Sequence, residues 1–198
     1  PNNSNPQTSQ DNNAADEKPE ERENKGKLKL DATVSDQMIK YPTDLNLIAE
    51  SRKQAERIID ILYKQTDLEK KPRTYKRNAQ QEYLAVAKKK KKSKKVIRKA
   101  VGKQLRYLRR DLKHIDNLLD LFEGKDFPLG KRDQRIYWVI QHIYSQQEKM
   151  YREKTHSVDN RIVNIYQPYV RPIPRGKDNK TVEFGAKLGV SEVNGFCR

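Results

Sequence analysis

Cysteine and long apolar runs are the two features that this sequence most clearly lacks. The 198 residues include one cysteine, Cys197, which excludes an internal disulfide and a zinc site built from several cysteines. No run of about 18 apolar residues occurs, so no segment is predicted to span a membrane. Hydrophobic residues make up 34% of the chain and charged residues 35%. We therefore expect a modest core and a reducing, cytoplasmic location.

Acidic residues are also few compared with basic ones. The chain has 43 Lys and Arg against 27 Asp and Glu, a formal net charge of +16. This surplus favours a polyanionic partner, and nucleic acid is the first candidate. Between Glu82 and Asp111 there is no acid at all, whereas thirteen basic residues occur there: Lys88, Lys89, Lys90, Lys91, Lys92, Lys94, Lys95, Arg98, Lys99, Lys103, Arg106, Arg109 and Arg110.

A run of like charges is usually a solvated face. Thirteen cations without counter-charges nevertheless repel one another unless an anion relieves the repulsion. We predict that the stretch binds DNA phosphates and that it positions DNA without reading its sequence.

The spacing of apolar residues predicts four helices. The first runs from Asp44, capped by Thr43, to about Lys70, and the second begins at Thr74. A long amphipathic helix covers 96–122, and a further one runs from 133 to about 154. We predict that residues 44–155 form a helical insertion in which the two long helices pack antiparallel, since each apolar stripe needs a partner.

Strand patterns occur on both sides of this block. Residues 27–30 alternate between Lys and Leu, and Asp31 follows where the alternation ends. An acid there can point into a cleft and hold a metal, although most such acids are turn or cap residues. Further strands are predicted at 161–165 and 181–193, joined by a basic, proline-rich connection. Residues 1–25 have almost nothing apolar, which predicts a disordered linker.

Two groups of motifs carry a family resemblance. Leu-Asp-Ala-Thr-Val at 30–34 is followed by Ile-Lys-Tyr-Pro-Thr-Asp-Leu at 39–45. Far downstream come Gln-Pro-Tyr-Val-Arg-Pro-Ile at 167–173, Arg-Gly-Lys at 175–177 and Val-Glu-Phe-Gly-Ala-Lys-Leu at 182–188. In this order the motifs resemble the DDE transposases of bacterial insertion sequences. The resemblance covers about residues 26–198, with the stretch between the motifs matching mostly in character.

The resemblance implies an α/β fold, namely a partial ribonuclease-H-like core whose first strands are interrupted by the helical block. The implied domains are a linker (1–25), a first core strand and loop (26–43), the insertion (44–155) and further core strands (156–198). The implied activity is DNA transposition by metal-dependent phosphodiester cleavage and strand transfer, with Mg²⁺ as cofactor. Asp31 matches the first catalytic and metal-binding acid.

The other two acids are expected on strands beyond Arg198, so this chain would be a fragment that is inactive alone. The implied partners are the element ends, target DNA and further copies of the transposase, in the bacterial cytoplasm near the nucleoid and away from membranes. The basic segment that contains Arg171, Arg175 and Lys177 is predicted either to contact phosphates near the site or to fix a loop.

The remaining candidates have simpler interpretations. Asp159 precedes the predicted strand at 161–165 and is interpreted as a turn or cap residue. Glu183 alternates with apolar neighbours as a solvated or paired strand residue does. The three histidines, at 114, 142 and 156, lack metal-ligand spacing. The alternative for the whole chain is a non-enzymatic, basic helical protein that binds nucleic acid.

Overall fold

The computed structural model of the chain describes residues 28–36, 39, 41–177, 180–193 and 196–197, with side chains described in 39, 41–173 and 182–186. The chain forms two compact units. One comprises Ala32–Gly189, and the other combines Pro1–Asp31 with Val190–Arg198. Of the second unit the structure describes only strand residues. The four domains predicted from the sequence stay a prediction.

Four α-helices lie in the described part of the chain: α1 (Asp44–Tyr63), α2 (Lys76–Ala87), α3 (Lys94–Leu119) and α4 (Lys131–Glu153), with a short 3-10 turn, Asp120–Phe122, after α3. Thr43 caps α1 as predicted, because its Oγ1 accepts a hydrogen bond from the Asn46 N–H at 3.3 Å. Ser93 caps α3 in the same way through the Val96 N–H. At the far end of α3, Gly124 has a φ of 75° and ends the turn.

Two predicted helix boundaries are wrong. Helix α1 ends at Tyr63, seven residues before Lys70, because the residues that follow are polar and their one large apolar side chain, Leu68, is 42% exposed. Helix α2 begins at Lys76 because Tyr75 takes a left-handed conformation with a φ of 57°. Thr74 is therefore outside the helix.

The helices run alternately up and down. Arg98 on α3 donates a hydrogen bond to the Tyr151 carbonyl on α4 (2.7 Å), and Tyr137 on α4 donates to Asp116 on α3. Early residues of one helix thus meet late residues of the other, so the predicted antiparallel packing of the two long helices is confirmed. The Tyr83–Asn46 and Lys103–Glu82 contacts orient α1, α2 and α3 in the same alternating order.

The core of the larger unit is formed by the apolar stripes of the helices. The most extensive contact is between α1 and α3, and α4 packs against both. Ile48, Ile59, Leu108 and Ile140 are fully buried there. This burial supplies most of the stability of an amphipathic bundle.

The strand predicted at 161–165 is wrong. This segment has no regular secondary structure, and Ile162 and Ile165 instead join the helical core. The amide of Ile162 donates to the Gln146 side chain on α4 (2.9 Å), and Arg161 forms an ion pair with Asp44 (2.5 Å). The Gln146 side chain thus supplies a hydrogen bond, and the helical core supplies the burial, that a sheet would otherwise have provided.

A four-stranded sheet is formed by β1 (Leu28–Asp36), β2 (Arg171–Lys177), β3 (Lys180–Val193) and β4 (Phe196–Cys197). Its order is β1-β3-β2, and β4 pairs with the end of β3. Strands β2 and β3 are antiparallel, with Arg171 opposite Gly185 and Ile173 opposite Glu183. The sequence predicted a connection where β2 lies. Its two prolines fit an edge strand, where missing N–H donors cost little.

The described chain is therefore mostly helical, with a small sheet that includes an antiparallel hairpin. Helices and strands were both predicted, and the helical block indeed lies between the first strand and the later ones. Among the described residues no helix has the length and apolar character needed to cross a membrane.

Candidate nucleic-acid interface and the predicted acid

Asp31 lies in the interior of β1, which continues to Asp36. The predicted position at the end of a strand is wrong, because Ala32, Thr33 and Val34 extend the strand. The prediction that Asp31's strand lies beside the 181–193 segment is confirmed, since β3 is the neighbour of β1. The side chain of Asp31 falls outside the described residues, and so do those of Arg175 and Lys177.

The described residues do not supply a metal site. Nowhere among them do three or more Asp, Glu, His or Cys side chains converge as metal ligands would. Asp159 is exposed in the segment after α4, where its carbonyl faces the Gln146 amide. His142 and His156 are exposed as well.

The basic residues lie on the surface. Helix α2 ends at Ala87, α3 begins at Lys94, and Lys88–Lys92 occupy the loop between them, which we call the basic loop. Eleven of the thirteen basic residues are exposed, and Lys103 and Arg110 are half-buried. No acid occurs in the first turn of α3, which begins with two lysines. The two lysines add positive charge to the positive end of the helix dipole. An anion bound at this end would therefore be stabilised.

Most cations of α3 share one helical face. Six of them follow one another at intervals of three or four residues, and we call them the α3 stripe: Lys95, Lys99, Lys103, Arg106, Arg110 and Lys113. At 100° per residue they lie opposite the buried residues Gln104, Leu108 and Ile115. The stripe is about 27 Å long at 1.5 Å per residue. Lys113 lies at the end of the range predicted to bind DNA, residues 88–113, but it follows Asp111 and is not among the thirteen cations.

Few carboxylates neutralise this surface. Lys103 pairs with Glu82 at 2.7 Å, and Arg109 lies 4.0 Å from Glu148. In the described part of the chain, none of the seven lysines between 88 and 95 has a carboxylate partner. The chain therefore pairs the cations near the bundle and leaves the loop and the start of α3 uncompensated.

An arginine–tyrosine cluster extends the stripe beyond what the sequence predicted. The Arg110 guanidinium lies 4.5 Å from the centre of the Tyr75 ring, and Arg73 lies 4.8 Å from it. Burial and the nearby charges of Arg110 and Lys113 lower the pKa of His114, although a hydrogen bond with the Arg73 backbone opposes them. The left-handed turn at Tyr75, which creates the cluster, has no clear sequence signal.

Arg171 serves a structural purpose in β2. Its guanidinium donates to the carbonyl oxygens of Pro168 and Val170, at 3.1 Å for the latter. These bonds fix the turn before the strand.

Comparison of the chain with models of protein families, with curated proteins and with solved structures gave no match.

Proposed function

We propose that this chain binds the DNA backbone through the basic loop and the α3 stripe, and that it does so as part of a DDE-type transposase. The observation that carries DNA binding is the cationic face on the outer side of α3, where five of the six stripe cations have no carboxylate partner in the described structure. A helix whose one side is buried and whose other side carries six cations needs no further side chains to follow a phosphate backbone.

The dimensions of the surface support a duplex as the partner. The stripe is about 27 Å long, and duplex DNA carries one phosphate per strand about every 3.4 Å along its axis. Several phosphates thus lie within reach, and the basic loop adds five flexible lysines at one end. Such contacts give affinity that depends on salt and only weakly on sequence.

The transposase assignment rests on the motif resemblance. The chain leaves β1, forms four helices and returns to place β3 beside β1, so strands from before and after the helical block lie in one sheet. In this proposal Asp31 is the first catalytic and metal-binding acid. Bound Mg²⁺ would supply charge stabilisation for phosphodiester cleavage, and with one acid assigned we propose that the chain alone is inactive.

The proposed setting is the bacterial cytoplasm, with the DNA of element ends and targets as substrate and further copies of the transposase in the complex. A second candidate is a non-enzymatic nucleic-acid-binding protein, which the same cationic face also supports. Only the role of Asp31 separates the two candidates. Binding and chemistry are therefore tested separately.

Binding is tested by fluorescence anisotropy with a labelled blunt duplex at several salt concentrations. We expect log K to fall linearly with log salt, with a slope of about −0.9 per neutralised phosphate. Replacing Lys88, Lys89, Lys90 and Lys91 by Gln should make the slope shallower. A flat salt response of the unmodified protein would exclude the proposed surface.

A matched control removes the same charge at the other end of the bundle. Lys64, Lys70, Lys125 and Lys131 are exposed and have no carboxylate partner in the described structure. Their replacement by Gln should leave the slope almost unchanged. If both quadruple variants lose affinity equally, net charge rather than this surface determines binding.

Chemistry is tested with Asp31→Asn in a protein that carries this chain together with the remaining acids. The substitution keeps the size of the side chain and removes the charge that Mg²⁺ requires. We expect strand cleavage and joining to be lost while DNA affinity stays within about twofold. Wild-type cleavage by the Asn variant would show that the assignment of Asp31 is wrong.

A further inference from the structure

A cavity of about 340 Å³ lies beside the basic loop, between the start of α3 and the end of α4. Ile97, Val101 and Met150 give it an apolar floor. Met150 is 4% exposed and Val101 8% exposed, whereas Ile97, at 37%, reaches the mouth. The volume is at the lower end of the range for small-ligand sites, about 300–1,000 Å³, which is room for one nucleoside-sized group.

The rim of this cavity is cationic. Lys94, Arg98, Lys154 and His156 surround it. The one acid at the rim, Asp44, is already paired with Arg161 and accepts a hydrogen bond from Gln147 at 3.0 Å. The rim thus attracts an anion, while the floor excludes water from an apolar or aromatic group.

An arginine–tyrosine pair, Arg98 and Tyr151, lies at the same rim and is called the Arg98 platform. The Arg98 guanidinium lies 4.4 Å from the centre of the Tyr151 ring and is held there by its hydrogen bond to the Tyr151 carbonyl. Guanidinium and phenol groups are both surfaces on which nucleobases stack. Lys94 and Arg98 belong to the basic stretch, so the lining of the cavity continues the proposed DNA-binding residues.

We infer that the cavity binds one unpaired nucleotide of the bound DNA, with its base in the apolar slot and its phosphate at Lys94 and Arg98. A flat aromatic group joined to an anion matches both the floor and the rim. This inference deepens the proposed DNA binding and rests on it. The partner is thereby specified as a duplex with an unpaired end.

The test compares three DNAs in anisotropy measurements at one salt concentration: a blunt duplex, the same duplex with a short unpaired tail, and a duplex whose tail carries abasic nucleotides. The tail should raise affinity about tenfold, which corresponds to stacking of one base. The abasic tail keeps the added phosphates and should give little gain. An equal gain from both tails, or from neither, would overturn the inference.

Two variants locate the effect. Ile97→Trp fills the cavity from its exposed mouth and should remove the gain from the tail while leaving blunt-duplex affinity unchanged. Leu121→Trp adds the same side chain at the other end of the bundle, where Leu121 is 46% exposed, and should leave the gain intact. If Ile97→Trp retains the gain, the base binds elsewhere and the inference is wrong.

A direct readout does not depend on these variants. A tail that contains 2-aminopurine should change its fluorescence when the base stacks in the slot, and no change would contradict the inference. Failure of the two proposals is distinguishable. If the blunt duplex binds with salt dependence and the tail has no effect, only the proposed role of the cavity is excluded. If only the tailed DNA binds, only the proposed role of the cationic surface is excluded. If neither DNA binds, both proposals are excluded.

Discussion

At the scale of single residues, the least expected feature is a charged cluster inside the helical bundle. Arg52 is fully buried and donates hydrogen bonds to Gln104 (3.1 Å), Gln80 (3.2 Å) and Glu56. Asp111 on α3 is also fully buried, and neither of its carboxylate oxygens has a hydrogen-bond partner. The Arg52 guanidinium thus pairs directly with Glu56, and Asp111 is left without a direct partner among the described residues.

The ionisation of Asp111 reflects this shortage. Burial, together with the charge of Glu56, raises the pKa of Asp111 from 3.8 to about 8, against the attraction of Arg52 and Arg110. Between pH 3.8 and about 8, the Asp111 carboxyl is therefore protonated in the folded protein and ionised in the unfolded chain. Folding takes up this proton, so the free energy of unfolding should fall as pH rises from about 4 to about 8.

We predict that Asp111→Asn makes stability less dependent on pH. The amide has a similar size and cannot ionise, so the variant should exceed the unmodified protein by more than about 1 kcal/mol at pH 8 and match it closely near pH 4. Urea unfolding at pH 4, 6 and 8 measures both quantities.

The control is Asp126→Asn, which removes the same charge from an exposed loop. It should leave the pH dependence as it is. An Asp111→Asn protein whose stability varies with pH as steeply as that of the unmodified protein would show that Asp111 does not titrate in this range.

At the scale of elements, α3 combines two surfaces of different chemistry. Its inner face packs on α1 and α4, and its outer face carries the α3 stripe. Helix α3 approaches α4 closely at Gly102, where an added Cβ would lie 2.5 Å from the Tyr151 hydroxyl oxygen. A side chain at position 102 would therefore displace Tyr151, which carries the Arg98 platform.

We predict that Gly102→Ala changes the sign of its effect with the residue at position 151. In an unobstructed helix, Ala instead of Gly stabilises by about 1 kcal/mol. Beside Tyr151 the clash should reverse this and lower stability by about 1 kcal/mol or more.

A double-mutant cycle measured by urea unfolding tests the prediction. In a Tyr151→Ala background the obstruction is absent, and Gly102→Ala should then stabilise the protein. An equal effect of Gly102→Ala in both backgrounds would mean that Tyr151 does not restrict this position.

At the scale of the whole larger unit, the alternating helices bring distant segments to one end of the bundle. The start of α1, the basic loop, the start of α3 and the end of α4 meet there, as the Asp44–Gln147 bond and the lining of the cavity demonstrate. The cations and the cavity are therefore neighbours, although Asp44 and Gln147 are 103 residues apart in the chain.

The sequence by itself determined the features that depend on local periodicity. The apolar spacing predicted the four helices, Thr43 predicted the start of α1, and the acid-free interval predicted an exposed cationic face. The repeated leucines and lysines before Asp31 predicted β1. The helix and strand patterns repeat at 3.6 and 2 residues, and the cap and the charged interval are also local in the chain, so neighbouring residues contain the whole signal.

Tertiary structure alone decided the remaining features. Residues 161–165 have a strand-like composition, yet α1 and α4 offer Ile162 and Ile165 a helical core and Gln146 offers an amide partner. The proline-rich segment 171–177 became a strand because β3 supplied an edge to pair with. Asp111, the Tyr75 cluster and the cavity depend on side chains far apart in the chain, and such contacts leave no periodic pattern in the sequence.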